Sequence, residues 1–497
     1  MKLLGIDIGT GGTRAVVIDG QGRVIGAATA EHVNFASPQL AWAEQDPNDW
    51  WGAALRAIPE CLAKTNTSAS ELNGIGLTGQ MHGLVALDKD NRVLRPSILW
   101  CDQRTEAECR EITEEVGPKR LIELTANPAL TVFTLPKIRW MQKHEPELWS
   151  RVRTILLPKD YVRFRLTGSR ATDVADASGT LLFDVANRQW SVPMLEAAKL
   201  NADLLPRVFE GPQITGHVSE EGARATGLCA GIPVVAGAGD QAAGAVGMGI
   251  AKPGAVSVTI GTSGVVFAAT GSPICDPKGR IHTFCHAIPN CWHVMGVTQA
   301  AGLSLKWFRD QFSANGNSSA ISYDHLMEEA AKIPPGAEGL LWAPYLMGER
   351  TPHLDPNARG ALIGLTAGHT RDHMIRAILE GVAFSLRDSL TIFSELGIPV
   401  TSIRLGGGGA RAPLWCQIQA DIYGQEVSVL QAEEGPAYGA ALLAGVGVGA
   451  WPSVERACEV SVRVARRFEP DAKRVAAMDR QYARYAKLYP LLRDISS

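Results

Sequence analysis

The chain carries one pattern twice. Residues 2–8 are an apolar run closing in Asp7-Ile8-Gly9-Thr10-Gly11-Gly12-Thr13, and a second run follows from Arg14 to Asp19. Far downstream, Ala255-Val-Ser-Val-Thr-Ile-Gly261-Thr262-Ser263-Gly264-Val-Val-Phe-Ala repeats the order of apolar strand, Gly-Thr-small-Gly tip and apolar strand. Short β-branched runs predict buried strands, and glycine between them permits a tight reversal. In the first copy, Gly20-Gln21-Gly22 turns into a third strand at 24–30. Duplication on this scale predicts two similar α/β halves with a cleft between them. The 497 residues also exceed what one core fills. The halves are expected at 1–246 and 247–497, with a helical tail from about residue 452.

Between the two copies lies Ile232-Pro-Val-Val-Ala236-Gly-Ala-Gly-Asp240-Gln241. It reads as a buried strand, a turn of small residues and a helix of small residues to Gly247. Asp240 stands at that turn, where little side-chain bulk leaves room for a ligand. On this stretch alone, a cap for the helix behind it is the commoner role for such a residue. The tips 9–13 and 261–264 could each direct N–H groups and hydroxyls at an anion, or could be ordinary hairpin turns. If both tips face one cleft, Asp240 and two phosphate-type loops form a single arrangement.

Other polar groups fall between predicted strands. Gly79-Gln80-Met81-His82-Gly83 separates two apolar runs, so His82 either faces a cleft or is a hydrogen-bonded turn residue. In Ile98-Leu-Trp100-Cys-Asp102-Gln-Arg104, the ring and the carboxylate could grip a polyol, or Asp102 could cap a helix. Asp46-Pro47 opens a helix through Ala63, residues 105–175 are mostly helical, and 370–394 is an amphipathic helix. The polar stretch Met347 to Gly360 reads more as a solvated connection than as cleft wall. Gly406 to Gly409 follows a strand and precedes a helix, which favours close approach of backbone to a flat or charged ligand. The small-residue helix from Gly435 is expected to pack on that loop, and the basic-leaning end to be a solvated helical face.

Several functions are disfavoured. A net charge of −3 gives no electrostatic case for nucleic acid or an anionic membrane. Nine scattered cysteines without a CxxC pair suit a reducing cytoplasm and argue against a structural zinc or a disulfide framework. Asp7 arrives too early for a signal peptide, and the glycine-rich run 437–451 is too short to span a bilayer. No G-x-x-x-x-G-K-[ST] occurs. A dinucleotide-type spacing does occur at Gly237, Gly239 and Ala242, but the next strand ends in Gly261-Thr262 without an acid for a ribose. It occurs again at Gly407, Gly409 and Ala412, so it discriminates little.

Together, Asp7, the two Gly-Thr tips, Gly-Asp240-Gln and the Gly406–Gly409 loop resemble the FGGY carbohydrate kinases of the actin/hexokinase-like (ribonuclease H-like) superfamily. The likeness runs from about residue 2 to about 450. Gly79-Gln-Met-His-Gly83, Ile98-Leu-Trp-Cys-Asp-Gln-Arg104 and Leu157-Pro-Lys-Asp-Tyr161 are most similar to the xylulokinase branch. The resemblance implies two actin/hexokinase-like domains and an enzyme that transfers phosphate from ATP, with Mg²⁺, to the terminal hydroxyl of a ketopentose, D-xylulose first. It implies Asp240 as base, Asp7 near the metal and the moving phosphate, and both acids toward Mg²⁺ mainly through water. Gln80, Met81, His82, Trp100, Asp102, Asp240 and Gln241 would meet the sugar. Thr10, Gly11, Gly12, Thr13 and Arg14, then Gly261, Thr262 and Ser263, would meet phosphates, and Gly407, Gly408 and Ala410 the adenosine side.

The chain departs from that pattern where Ser is common at 11, Lys at 14 and Asn at 241. Arg14 keeps the charge with different geometry, and Gln241 bears on which sugar is used. Other acceptors (ribulose, xylitol, gluconate, glycerol), a dehydrogenase and a non-enzymatic sugar sensor are the alternatives. The expected partners are small molecules, neither nucleic acid nor membrane, with a homodimer as the expected assembly.

Overall fold

The structure, a computed structural model, describes residues 1–312, 321–432 and 435–496. The repeated sequence pattern becomes a repeated sheet. In the first half, Lys2–Ile8, Gly12–Asp19 and Val24–Glu31 form an antiparallel meander. Leu72–Gly79 adds parallel to Lys2–Ile8, and Pro233–Val235 parallel to Leu72–Gly79. In the second half, Ala255–Ile260, Gly264–Thr270 and Trp292–Thr298 are the meander. Ser402–Gly407 and then Val427–Leu430 add parallel on the other side. Each half therefore builds the same five-strand order around its first strand.

Strand periodicity divides the first sheet's faces. Leu4, Ile6 and Ile8, with Ala15 and Val17, turn to the helix Pro47–Lys64, which buries Trp50, Ala54, Ala57 and Ile58 against them. That helix starts as expected, with Asp46 accepting from the N–H of Asn48 and Pro47 in the first turn. Leu3, Val16 and Ile18 turn the other way, onto the helix Gly435–Gly447. The contact is backbone on backbone. A Cβ on Gly5 would stand 1.9 Å from the carbonyl of Ala437, and one on Gly76 2.0 Å from that of Ala440. A Cβ on Gly439 would stand 1.8 Å from the carbonyl of Ala243, in the helix Asp240–Gly247. This corrects the expectation that Gly435–Gly447 packs on the Gly406–Gly409 loop. A helix faced with glycine and alanine can lie flat on any glycine-pitted surface, and the sheet across the chain offers one.

Segments 106–155 and 181–204 build a side wall on the first half. Its core, around Phe133, Leu135, Ile138 and Met141, also takes in Phe284, Met295 and Val297 from the second sheet's edge, so the halves share buried surface. The long helix Arg371–Glu395 runs through the second core. The end of the chain is more than a solvated helical face. Val464–Phe468 is the second sheet's edge strand, and Met478, Tyr485 and Leu488 are buried in that core.

Candidate active site

Three adjacent chain segments bring the first half's acids together. Asp7 pairs across the sheet with Arg14 on one side and Thr78 on the other. Ala238 and Gly239 then pair with Thr78 and Gly79, and the chain turns into the helix Asp240–Gly247. Gly237 permits that turn: its φ is 69°, and a Cβ there would lie 1.7 Å from the carbonyl of Leu77. The helix is capped by Gly239, with no side-chain cap bond, so Asp240 is its first residue and not its cap.

Both carboxyls keep only part of their surface open. Burial, then the charge of Asp240, pushes Asp7 up to about 7, against the pull of Arg14. Burial pushes Asp240 up to about 6, and hydrogen bonds from the backbone and side chain of Gln241 restrain it. Asp7 Oδ1 and the Thr78 hydroxyl are buried with no protein partner among the described residues. The described residues hold no cluster of three or more His, Cys, Asp or Glu able to cage a metal. Two neighbouring carboxylates, one with an unbonded oxygen, suit a hydrated Mg²⁺ carried mainly by phosphate.

Beside the acids, Met81 lies over Gly239, where a Cβ would come within 2.7 Å of its Cγ. His82 takes a left-handed φ of 70°. Its ring nitrogen Nδ1 lies 2.6 Å from the carbonyl of Gly179, and its ring stands edge-on to Phe133 at 5.4 Å. Burial pushes the imidazole down to about 3, so it is neutral. A neutral ring bonded to a carbonyl through Nδ1 must carry its proton there, which leaves Nε2 as an acceptor. Helix Thr134–His144 clamps the backbone of His82, whose carbonyl accepts from Thr134 Oγ1 at 3.1 Å and from Lys137 Nζ at 3.2 Å. Trp100 Nε1 donates to Thr10 Oγ1 at 3.0 Å, Thr10 Oγ1 to Gln80 Oε1 at 3.3 Å, and Gln80 Nε2 to the carbonyl of Gly9. One hydrogen-bonded chain thus ties the first tip to Gln80, next to Met81 and His82.

Two expected ligand residues are otherwise engaged. Asp102 is fully buried, chelates Arg104 through both oxygens and accepts from the N–H of Ala43 at 2.6 Å, so it presents no free oxygen to a sugar. It does not cap a helix either, since the next helix opens at Glu106 behind Thr105. Thr13 is also fully buried, with Oγ1 2.9 Å from His32 Nε2. Strand alternation turns its hydroxyl inward, away from any phosphate.

The rest of the first tip is open. Gly9 N–H bonds Gly12 O, and a Cβ on Gly11 would meet nothing within 4 Å. Arg14 faces Asp7 and donates to Thr29 Oγ1. In the second tip Gly261 and Thr262 are exposed, with Gly261 N–H bonded to Ser263 O. Its carbonyls accept from Gly302 and Leu303, and a Cβ on Gly302 would come within 2.3 Å of Gly261 O. Gly407, with φ 71°, passes over the carbonyl of Ile260; Gly407 and Gly408 are exposed, and Ala410 is buried beneath them.

Sequence reasoning missed two features. Lys159 is fully buried and paired with Asp160, Asp173 and Asp176 at 2.7, 2.7 and 2.9 Å, while Arg163 shares Asp160 and bonds the carbonyl of Ala236. This nest supports the turn that carries Asp240. The stretch 347–360 is not a solvated connection: Glu349 and Thr351 are buried, and Glu349 accepts from Thr298 Oγ1 and from the N–H groups of Gln299 and Arg350.

Known proteins resemble this chain along its whole length. Residues 2–247 match the N-terminal domain, and 256–448 the C-terminal domain, of the FGGY family of carbohydrate kinases. The xylulose kinase of Bacillus subtilis (strain 168) is 40% identical over 495 residues, covering 100% of this chain and 98% of that protein. The xylulose kinase of Escherichia coli (strain K12) is 40% identical over 490 residues, covering 98% and 99%. A crystal structure described as a xyloylose kinase from Brucella ovis superposes with a TM-score of 0.92 at 36% identity, over 100% of both chains.

Proposed function

The chain belongs to the FGGY family of carbohydrate kinases, and we propose that it phosphorylates the terminal hydroxyl of D-xylulose with ATP, giving D-xylulose 5-phosphate and ADP. The observation that carries this reading is the sheet register that sets Asp240, at the head of its helix, near Asp7, with Met81 over Gly239 and His82 next along the chain. Asp240 takes the proton of the terminal hydroxyl as that oxygen bonds to the γ-phosphorus and the bond to the ADP oxygen breaks. Its raised affinity for a proton suits a base working near neutrality. His82 Nε2 accepts from a sugar hydroxyl, Met81 packs against the carbon chain, and the half-exposed Trp100 ring offers an apolar face above Thr10. Open N–H groups of the two tips and the Thr262 hydroxyl donate to phosphate oxygens, and the Gly407–Gly408 backbone leaves room for the adenosine. Mg²⁺, when bound, neutralises phosphate charge, with Asp7 and Asp240 holding its water shell.

We also place the enzyme in the cytoplasm, because all nine thiols are unpaired. Among the described residues no helix is long and apolar enough to cross a membrane. The test is a coupled ADP-release assay on the purified protein with D-xylulose, ribulose, xylitol, gluconate and glycerol. D-xylulose should give the highest kcat/KM by at least about tenfold, as expected where polar contacts select a substrate. A higher value for another acceptor reassigns the sugar, and no rate above the sugar-free background removes the kinase reading.

A further inference from the structure

The loop carrying Glu349 sits on the second half's strand Trp292–Thr298. Thr351 N–H bonds Val297 O at 2.9 Å, Val297 N–H bonds Thr351 Oγ1 at 3.0 Å, and Thr351 Oγ1 donates to Arg280 O at 2.8 Å. Val297 and Met295 face the first half and pack in the cluster around Phe133, the ring that touches His82. Arg350 is thus fixed at the seam between the halves. Its N–H donates to Glu349 and its carbonyl accepts from Leu354. Its guanidinium makes no hydrogen bond or ion pair to any described residue, although the side chain is only partly open. Burial lowers its affinity for a proton, against the pull of the neighbouring Glu349 charge.

Burial chiefly lowers His82 and His282, both edge-on to Phe133, and the charge of Arg350 adds to it in each, after Lys137 in His82. Arg350 therefore belongs to the His82 end of the pocket. A guanidinium held out of bulk water without acceptors is unfavourable unless a ligand supplies them. His82 offers an acceptor there and Arg350 offers donors, which together match a hydroxyl next to a second oxygen.

We propose that Arg350 is a sugar-binding residue contributed by the second half, donating to the oxygens of the acceptor at the end held by His82. The pocket is then completed by both halves. This rests on the kinase reading above. It predicts that Arg350→Gln raises KM for D-xylulose by about tenfold to a hundredfold, the loss expected for charge-assisted hydrogen bonds. KM for ATP should stay within about twofold, and Arg350→Lys should recover part of the sugar affinity. The Gln variant should melt at or above the wild-type temperature, because it removes a desolvated charge, and D-xylulose without ATP should no longer raise its melting temperature. An unchanged KM for D-xylulose, a fall in kcat alone, or a lower melting temperature with both KM values raised would overturn the assignment. The wild-type rate separates the two ideas: turnover of D-xylulose with an unaffected variant defeats this inference alone, while an inactive wild type defeats the kinase reading.

Discussion

Asp240→Asn separates catalysis from stability. The wild-type carboxyl titrates near 6 instead of its ordinary 3.8 because the fold strips water from it. The folded protein therefore holds that proton where the unfolded chain has lost it, and stability falls as pH rises from about 4 to about 6. Above that window the ionised carboxylate costs the fold about 3 kcal/mol at most, at about 1.4 kcal/mol per pH unit. The cleft-facing part of its surface makes this an upper figure. The Asn variant escapes the cost, so at pH 7 it should melt a few degrees higher than the wild type, and at pH 4 the difference should vanish. In the coupled assay the same variant should lose about 10²- to 10⁴-fold in kcat, the usual contribution of a general base. Wild-type kcat/KM for sugar should fall as pH drops through about 6, reaching about one tenth of its plateau at pH 5. Melting curves at both pH values, with rates from pH 5 to 8, test the whole chain of reasoning. A variant less stable than the wild type at pH 7, or one retaining near-normal turnover, would refute it.

Two further outcomes follow from the same contacts. His82→Ala should raise KM for D-xylulose far more than KM for ATP in steady-state kinetics, and equal effects on both would contradict its placement beside the sugar. Gly439→Ala puts a methyl group 1.8 Å from the carbonyl of Ala243. It should destabilise the protein by about 1–3 kcal/mol, as overpacking does, seen as a lower melting temperature, and an unchanged melt would mean that the two helices separate freely.

The duplicated halves were readable because each Gly-Thr tip sits between β-branched runs, a strictly local signal. Asp240 was readable for the same reason, as a lone acid among small residues. What stayed hidden depends on contacts far along the chain. Thr13 looks like a phosphate ligand until the register pairs it with Ile8 and turns its hydroxyl to His32. Asp102 looks free until Ala43 and Arg104 close on it. Glu349 and Arg350 lie in a stretch whose polar composition resembles solvent-facing loop, and only the strand Trp292–Thr298 beneath them reveals that they are enclosed. The partner of the helix Gly435–Gly447 was out of reach because a glycine face carries no side-chain signature of what it meets.

That helix also fixes an order of events during synthesis. The cluster that buries Leu3, Val16 and Ile18 is joined by Leu442, Leu443 and Ala444 some 430 residues later by their numbering. A chain stopped after residue 250 but before that helix has the helix-covered face of the first sheet complete and the opposite face without the glycine-alanine helix that packs on it. The N-terminal sheet is therefore completed by a helix from the far half of the chain, so the two halves finish folding together.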